Sequence, residues 1–218
     1  MVRIYYHIYV IDGVESIIDE QMSLIEKHFN FPYILNVGIS IANENQSTSS
    51  IIEKFYKFNK PNYRIREVRA WGNEFSTIDL IEKDKDKFGD SDYILYLHTK
   101  GASKQNVPNY NNIISWRHLM NYWNIEKSDF ALDILKNTNY NAYGVLLCDI
   151  NNCIFYSGNF WWASSNYLSQ LSIDDLLCSD RFHKEFWIGS GNGKMYNLDS
   201  CSGYGYVDRF TLDKWINT

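Results

Sequence analysis

Residues Asp92–Ser103 read DYILYLHTKGAS, and their reading decides the fold. Tyr93-Ile94-Leu95-Tyr96-Leu97 is nearly all apolar, without the alternation of a half-exposed strand. Such a run suits a strand buried on both faces of a mostly parallel sheet. The character then changes abruptly to His98-Thr99-Lys100-Gly101. In open α/β sheets the carboxyl ends of the strands are where ligands bind. A glycine there permits a sharp turn, and a lysine puts a positive charge at the ligand edge. The alternative is an ordinary strand end with a solvated Lys and a hydrogen-bonded His.

Working outward, strand and helix alternate through the first hundred residues. Val2–Ile11 reads as a strand ending in Asp12-Gly13, and VESIIDEQMSLIEKHF carries apolar residues at helical spacing (Ile17, Ile18, Met22, Ile25, Phe29). YILNVGISIA is a second strand, SIIEKFYKF a helix and YRIREVRAW a third strand. FSTIDLIEKDKDKFG is a further helix, with Ser76 or Thr77 as its candidate cap. Beyond the opening strand, NIISWRHLMNYWNI and EKSDFALDILKN are helices and AYGVLLCDI a strand. The pattern predicts an α/β fold: a Rossmann-like, mostly parallel central sheet with helices on both faces. After Asp149 the segments become shorter and rich in aromatic residues, Gly and Asn. One domain over 1–218 is expected, with a donor-binding half (1–103) and an acceptor-binding half (104–218).

The bulk properties narrow the classes. The chain has 218 residues, 45% hydrophobic and 22% charged, with net charge -5. Without a basic block, nucleic acid is not an expected partner. Cys148, Cys153, Cys178 and Cys201 show no CxxC pair or metal-ligand spacing and suggest reduced thiols in a cytoplasmic protein. MVRIYYHIYVIDG reads as a strand starting at once rather than a signal peptide, and no apolar run suits a membrane span. Neither a GxxxxGK[ST] loop nor a GxGxxG after the first strand occurs, which disfavours P-loop and dinucleotide-binding readings. Aromatic residues reach 17%, including 17 Tyr and 7 Trp. These rings serve either cores or surfaces that stack on sugars.

Several residues could carry chemistry. Arg117 falls off the apolar stripe of Trp116, Leu119, Met120 and Trp123, so its planar fork suits either a phosphate or a salt bridge. Asn159, Trp161 and Trp162 beside Gly158 could build a sugar platform. Glu185 either pairs with Arg181 on one helix face or acts as a general base in an aromatic pocket, with His183 and Asp180 as neighbouring alternatives. Asp149 ends an apolar strand and is a further candidate carboxylate. His98 with Asp149 or His183 could ligate a divalent cation, though the spacing forms no signature.

In order, GNEFSTIDL, YILYLHTKGAS, SWRHLM, YSGNFWWASSNYL and RFHKEFWIG resemble a group of GT-A-type glycosyltransferases. The group includes domains encoded by chlorella viruses with bacterial relatives, and lies near the rhamnan-synthesis F proteins. The likeness spans about residues 70–195. It implies a domain that binds a nucleoside-diphosphate sugar, UDP-linked in the first instance, and passes the sugar to a hydroxyl of a glycan acceptor, with inversion. A viral member would work in the host cytoplasm. Asn73, Glu74 and Thr77 would contact the nucleoside or donor sugar, with His98, Thr99 and Arg117 also on the donor side and Tyr9 and Asp12 near the base. Gly158-Asn159-Phe160-Trp161-Trp162, with Trp187, would wall the acceptor side, and Glu185 would be the catalytic base. Most GT-A enzymes carry Asp-x-Asp, holding Mn²⁺ or Mg²⁺, where this chain has His98-Thr99-Lys100. Lys100 would then stabilise the leaving diphosphate, while a metal held by Asp149 or by the diphosphate alone stays open. The rival expectation is a non-catalytic nucleotide-sugar or carbohydrate-binding module, and a nucleotide-sugar hydrolase or pyrophosphorylase ranks third.

Overall fold

The computed structural model describes residues 1–43, 45–58, 60–69, 74–173, 183–198 and 209–210. Four strands form the regular half: β1 (Val2–Val10), β2 (Tyr33–Ile41), β3 (Tyr63–Arg69) and β4 (Tyr93–His98). Between them run α1 (Val14–His28), α2 (Ser49–Phe58) and α3 (Phe75–Asp84). Then follow α4 (Tyr110–Asn121), a π-helical turn (Tyr122–Glu126) and α5 (Ser128–Asn137). The remainder holds β5 (Ala142–Gly144), β6 (Leu147–Ile150), β7 (Cys153–Tyr156), β8 (Trp161–Ser164), α6 (Ser165–Leu168), a 3-10 stretch (His183–Gly189) and β9 (Met195–Asn197).

Seven strands make one sheet in the order β3-β2-β1-β4-β8-β5-β9, while β6 and β7 form a separate hairpin. β1 lies parallel to both β2 and β4, and β8 runs against both of its neighbours, β4 and β5. The expected mostly parallel α/β sheet is therefore present. Because the chain steps outward from β1 to β3 and then returns to place β4 on the other side of β1, the strand order reverses at the β1/β4 seam. That seam is the topological switch point, outside which open sheets bind ligands.

Each sheet face has its own core. Alternate residues of β1 (Ile4, Tyr6, Ile8, Val10) meet Val14, Ile17, Ile18, Met22 and Ile25 of α1 on one face. Tyr5 faces Ile78 and Ile81 of α3 on the other. Both sides of β1 and β4 are covered, which is why their sequences lack a polar alternation.

Three local expectations need correction. Ser76 and Thr77 lie inside α3 as buried residues; Glu74 occupies the cap position without a side-chain cap bond. AYGVLLCDI is not one strand, because Leu146 takes φ 56° and separates β5 from β6. Cys148 is buried, its thiol donating to the Leu146 carbonyl at 3.4 Å, but Cys153 is disulfide-bonded, so the cysteines are not all the reduced thiols expected.

Candidate functional site

The switch point gathers three loops. The Thr99 hydroxyl accepts the Tyr9 backbone N–H at 3.0 Å and so closes the β1/β4 seam at its carboxyl end. Beyond it, the Asp12 carboxylate accepts the Gln46 amide (2.9 Å), and the Asp12 carbonyl accepts the Gln105 amide (2.9 Å). The turn after β1, the loop after β2 and the loop after β4 are thereby tied to one exposed aspartate. Gly13 makes this fit possible: its φ is 81°, and a Cβ there would stand 2.8 Å from the Gln105 side chain. Tyr9 and Asp12 thus sit at the carboxyl end of β1, beside this seam. Gln46 and Gln105 were not legible in the sequence as part of it.

Lys100 enters this crevice from β4. Its ammonium lies over the Trp116 ring, 4.1 Å from the centroid, and its charge reaches the Glu74 carboxyl. Arg117 does something different from the expected donor contact. It is buried, and its fork is engaged by Glu20 in two bonds (Nε to Oε1 3.2 Å, Nη2 to Oε2 3.0 Å). The remaining terminal nitrogen donates to the Lys100 carbonyl at 3.1 Å. Arg117 therefore holds the backbone that presents Lys100. Burial pushes the Glu20 carboxyl up, but hydrogen bonds from His118 and Arg117 and their charges outweigh it and hold the group at about 2. Replacing Arg117 with Ala removes the fork and leaves Glu20 short of a partner. We expect a loss of about 2–4 kcal/mol, somewhat below that of a fully buried pair because Glu20 keeps part of its side chain in water. Denaturant midpoints of the two proteins measure it.

On the α3 face, the ends of β1 and β4 carry a buried polar network. His98 Nδ1 lies 2.9 Å from Glu74 Oε2, and Nε2 lies 3.0 Å from the Gly158 carbonyl. Burial pushes the Glu74 carboxyl up, but the charge and hydrogen bond of His98, with the charges of Lys100 and His7, hold it below the usual carboxylate range. The Tyr96 hydroxyl donates to the Glu74 carbonyl at 3.1 Å, and both the Glu74 and Glu185 carboxylates raise the tyrosine's pKa further above what burial does. Tyr96 therefore lies within electrostatic reach of both acids. It was missed in the sequence, although a period of two puts it on the same strand face as His98.

His7 completes the network, with Nδ1 2.9 Å from Thr77 Oγ1 and Nε2 3.0 Å from Ser40 Oγ. Thr77 is accordingly buried against His7 rather than open to a donor. Burial, aided by the His98 charge and opposed by Glu74, lowers the His7 pKa to about 3. An unfolded histidine takes its proton near 6.5, so between these values the unfolded state binds more protons and stability falls as pH falls. The slope approaches about 1.4 kcal/mol per pH unit. Between pH 6 and 5, above the range where the depressed carboxyls of Glu74 and Glu20 begin to lose stability, a His7→Gln variant should show a stability curve flatter by one proton. Urea denaturation across that interval checks it.

The aromatic wall is not where the sequence suggested. Trp161, Trp162 and Trp187 are 1%, 0% and 0% exposed, so their rings are core and present no face for a sugar. Asn159 is buried too, with φ 57°; its carbonyl oxygen accepts the Trp161 indole N–H at 3.0 Å. Glu185 is half-buried on the 3-10 stretch. Asp149 is exposed on the β6–β7 hairpin, away from the switch point. Among the described residues no cluster of three or more His, Cys, Asp or Glu could hold a metal. The strand end where a metal-binding acidic pair would stand offers an imidazole, a hydroxyl and an ammonium, a donor set that does not fit Mn²⁺ or Mg²⁺. Asn73, Asp180 and Arg181, and the side chain of His183, lie outside the described residues. Among those described, no helix is long and apolar enough to cross a membrane.

Residues 5–217 match a family model described as Domain of unknown function (DUF8361). No curated protein matches the sequence. Among solved structures, a 4-diphosphocytidyl-2C-methyl-D-erythritol synthase from Anaerococcus prevotii DSM 20548 aligns over 100% of this chain and 95% of its own, at 10% identity and TM-score 0.48. Another 4-diphosphocytidyl-2C-methyl-D-erythritol synthase aligns over 99% and 95%, at 11% identity and TM-score 0.40. Likenesses of this size carry no argument about activity.

Proposed function

We propose that this chain, which belongs to the DUF8361 family, is a glycosyltransferase using a nucleoside-diphosphate sugar and a glycan hydroxyl. The observation that carries the reading is that Lys100 and the His98–Glu74 pair stand together at the carboxyl end of β4, at the switch point, with the charge of Glu185 felt at Tyr96 on the same strand. A crevice at that place in an open α/β sheet suits a nucleotide. An ammonium in it supports a diphosphate, and a nearby carboxylate supports proton abstraction from an alcohol. The ordered likeness to GT-A-type glycosyltransferases in the sequence favours the same reading.

In the proposed reaction the base lies toward Asp12 and Tyr9, and the diphosphate toward Thr99 and Lys100. Glu185 takes the proton of the acceptor hydroxyl as its oxygen bonds to the anomeric carbon. The bond from that carbon to the diphosphate breaks, and Lys100 stabilises the charge that leaves with the nucleoside diphosphate. Attack opposite the leaving group inverts the anomeric centre. Arg117 and Glu20 keep the Lys100 backbone in place. No step is routed through a metal, because the strand end does not supply the ligands for one.

Titration with UDP, GDP and dTDP in the presence of EDTA, followed by backbone amide shifts, tests the site. One of the three should perturb Thr99–Gly101 and Asp12-Gly13. Perturbation confined to another part of the chain, or none with any nucleotide, would remove the reading.

A further inference from the structure

His98 stands between two segments that approach the crevice from opposite sides. One is the entry to α3, where the Glu74 carboxylate meets Nδ1; the other is the Gly158-Asn159 turn, whose Gly158 carbonyl meets Nε2. Both partners are acceptors, so both bonds are complete when each ring nitrogen carries a proton. The ring has little freedom, being stacked beside Tyr96 (6.3 Å, 22°) and edge-on to Phe160 (5.2 Å). The Tyr96 hydroxyl fastens the Glu74 carbonyl from the same strand.

The turn on the other side is left-handed. Gly158 has φ 91° and Asn159 φ 57°, values that Gly and Asn adopt more readily than other residues. Gly158 is also pressed onto α4: a Cβ there would stand 2.3 Å from Met120 Sδ and 3.1 Å from Trp116 Cε2. Trp116 is the ring under the Lys100 ammonium. The turn therefore connects to Lys100 through Trp116 and to the α3 entry through His98. In the same turn the Asn159 oxygen is paired with the Trp161 indole, while its amide nitrogen is buried with no hydrogen-bond partner among the described residues.

We infer that His98 is a positioning residue: a rigid two-ended bridge that holds the α3 entry and the Gly158-Asn159 turn in register, so that nucleotide at the β4 end is felt at the turn. The bridge stands on geometry alone; the transmission rests on the glycosyltransferase reading. A flat ring with nitrogens on opposite edges spans the two partners, whereas the shorter Asn side chain reaches one of them at most.

Carbonyl and amide shifts of Gly158 and Asn159 test the bridge and the transmission. In ligand-free protein, Glu74→Gln should move the Gly158 carbonyl resonance, and the same change made on His98→Asn should leave it in place. An equal displacement in both backgrounds overturns the bridge. With saturating UDP, GDP or dTDP, the wild type should respond at Thr99–Gly101 and at Gly158-Asn159, while in His98→Asn the response at the turn shrinks to the part that the Trp116 contact passes on. A response at the turn of undiminished size in His98→Asn, or one that is missing from wild type while Thr99–Gly101 responds, overturns the transmission. Silence everywhere with every nucleotide removes the functional reading and with it the transmission, while the ligand-free arm still decides the bridge. His98→Gln serves as the parallel variant if His98→Asn does not fold.

Discussion

Glu185→Gln is expected to lower sugar transfer by about 10²- to 10⁴-fold, the range that a positioned general base contributes. Binding of the nucleoside diphosphate should be essentially unchanged. The split follows from geometry. Glu185 lies on the 3-10 stretch His183–Gly189, half-buried, and its charge is felt at the Tyr96 hydroxyl on the α3 face of β4. Lys100, the cation proposed for the diphosphate, comes instead from the loop beyond β4 and rests on Trp116. Glutamine keeps the shape of the side chain but cannot accept the proton. Product formation with the wild-type donor and acceptor, beside a calorimetric titration of the same variant, reads both quantities. A transfer rate near wild type would move the base assignment elsewhere.

Lys100→Ala should weaken nucleoside diphosphate binding by about 10- to 100-fold, since a hydrogen bond to a charged group is worth about 1.5–3 kcal/mol. The effect should shrink as salt rises, because the lysine is half exposed. Some of the change in the free protein comes from the lost ammonium–indole contact at 4.1 Å, about 0.5–2 kcal/mol of stability. A melting curve for the variant separates that from binding. Titration with EDTA and then with Mn²⁺ shows whether the lysine supplies the charge by itself. Wild type that binds only with Mn²⁺, or a variant that binds as wild type does, would take this role from Lys100.

Much of the architecture was legible because burial writes itself into composition. Tyr93–Leu97 lacks alternation since helices cover both faces, and that lack marked it as a buried strand, while the turnover of strand and helix in the first hundred residues marked the sheet as mostly parallel. The same physics misled the reading of Trp161 and Trp162. Neighbouring strand residues point to opposite faces, so a pair of tryptophans suggests that one of them is available to a ligand. β8 lies between β4 and β5, however, and each ring enters a different core. Nothing local in SGNFWWAS reveals a strand inserted late into the middle of a sheet.

Arg117 illustrates a second limit. It falls outside the Trp116, Leu119, Met120 and Trp123 stripe, yet it is buried, because its partner Glu20 lies 97 residues away in α1. Only the packing of α4 against α1 shows that the fork is occupied. Glu74 was similarly placed near the donor by its motif, yet its carboxylate turns inward to His98. In each case the sequence indicated the chemistry of the residue, while the tertiary contact decided which partner received it.

The central claim is that the switch-point crevice performs group transfer. Its most direct test follows nucleoside diphosphate release from a panel of UDP-, GDP- and dTDP-sugars by the wild-type chain, with glycan acceptors and with water alone. The account predicts release from one donor series, accelerated by an acceptor and lost in Glu185→Gln. Tight donor binding with no release under any condition would contradict it and identify a binding module instead.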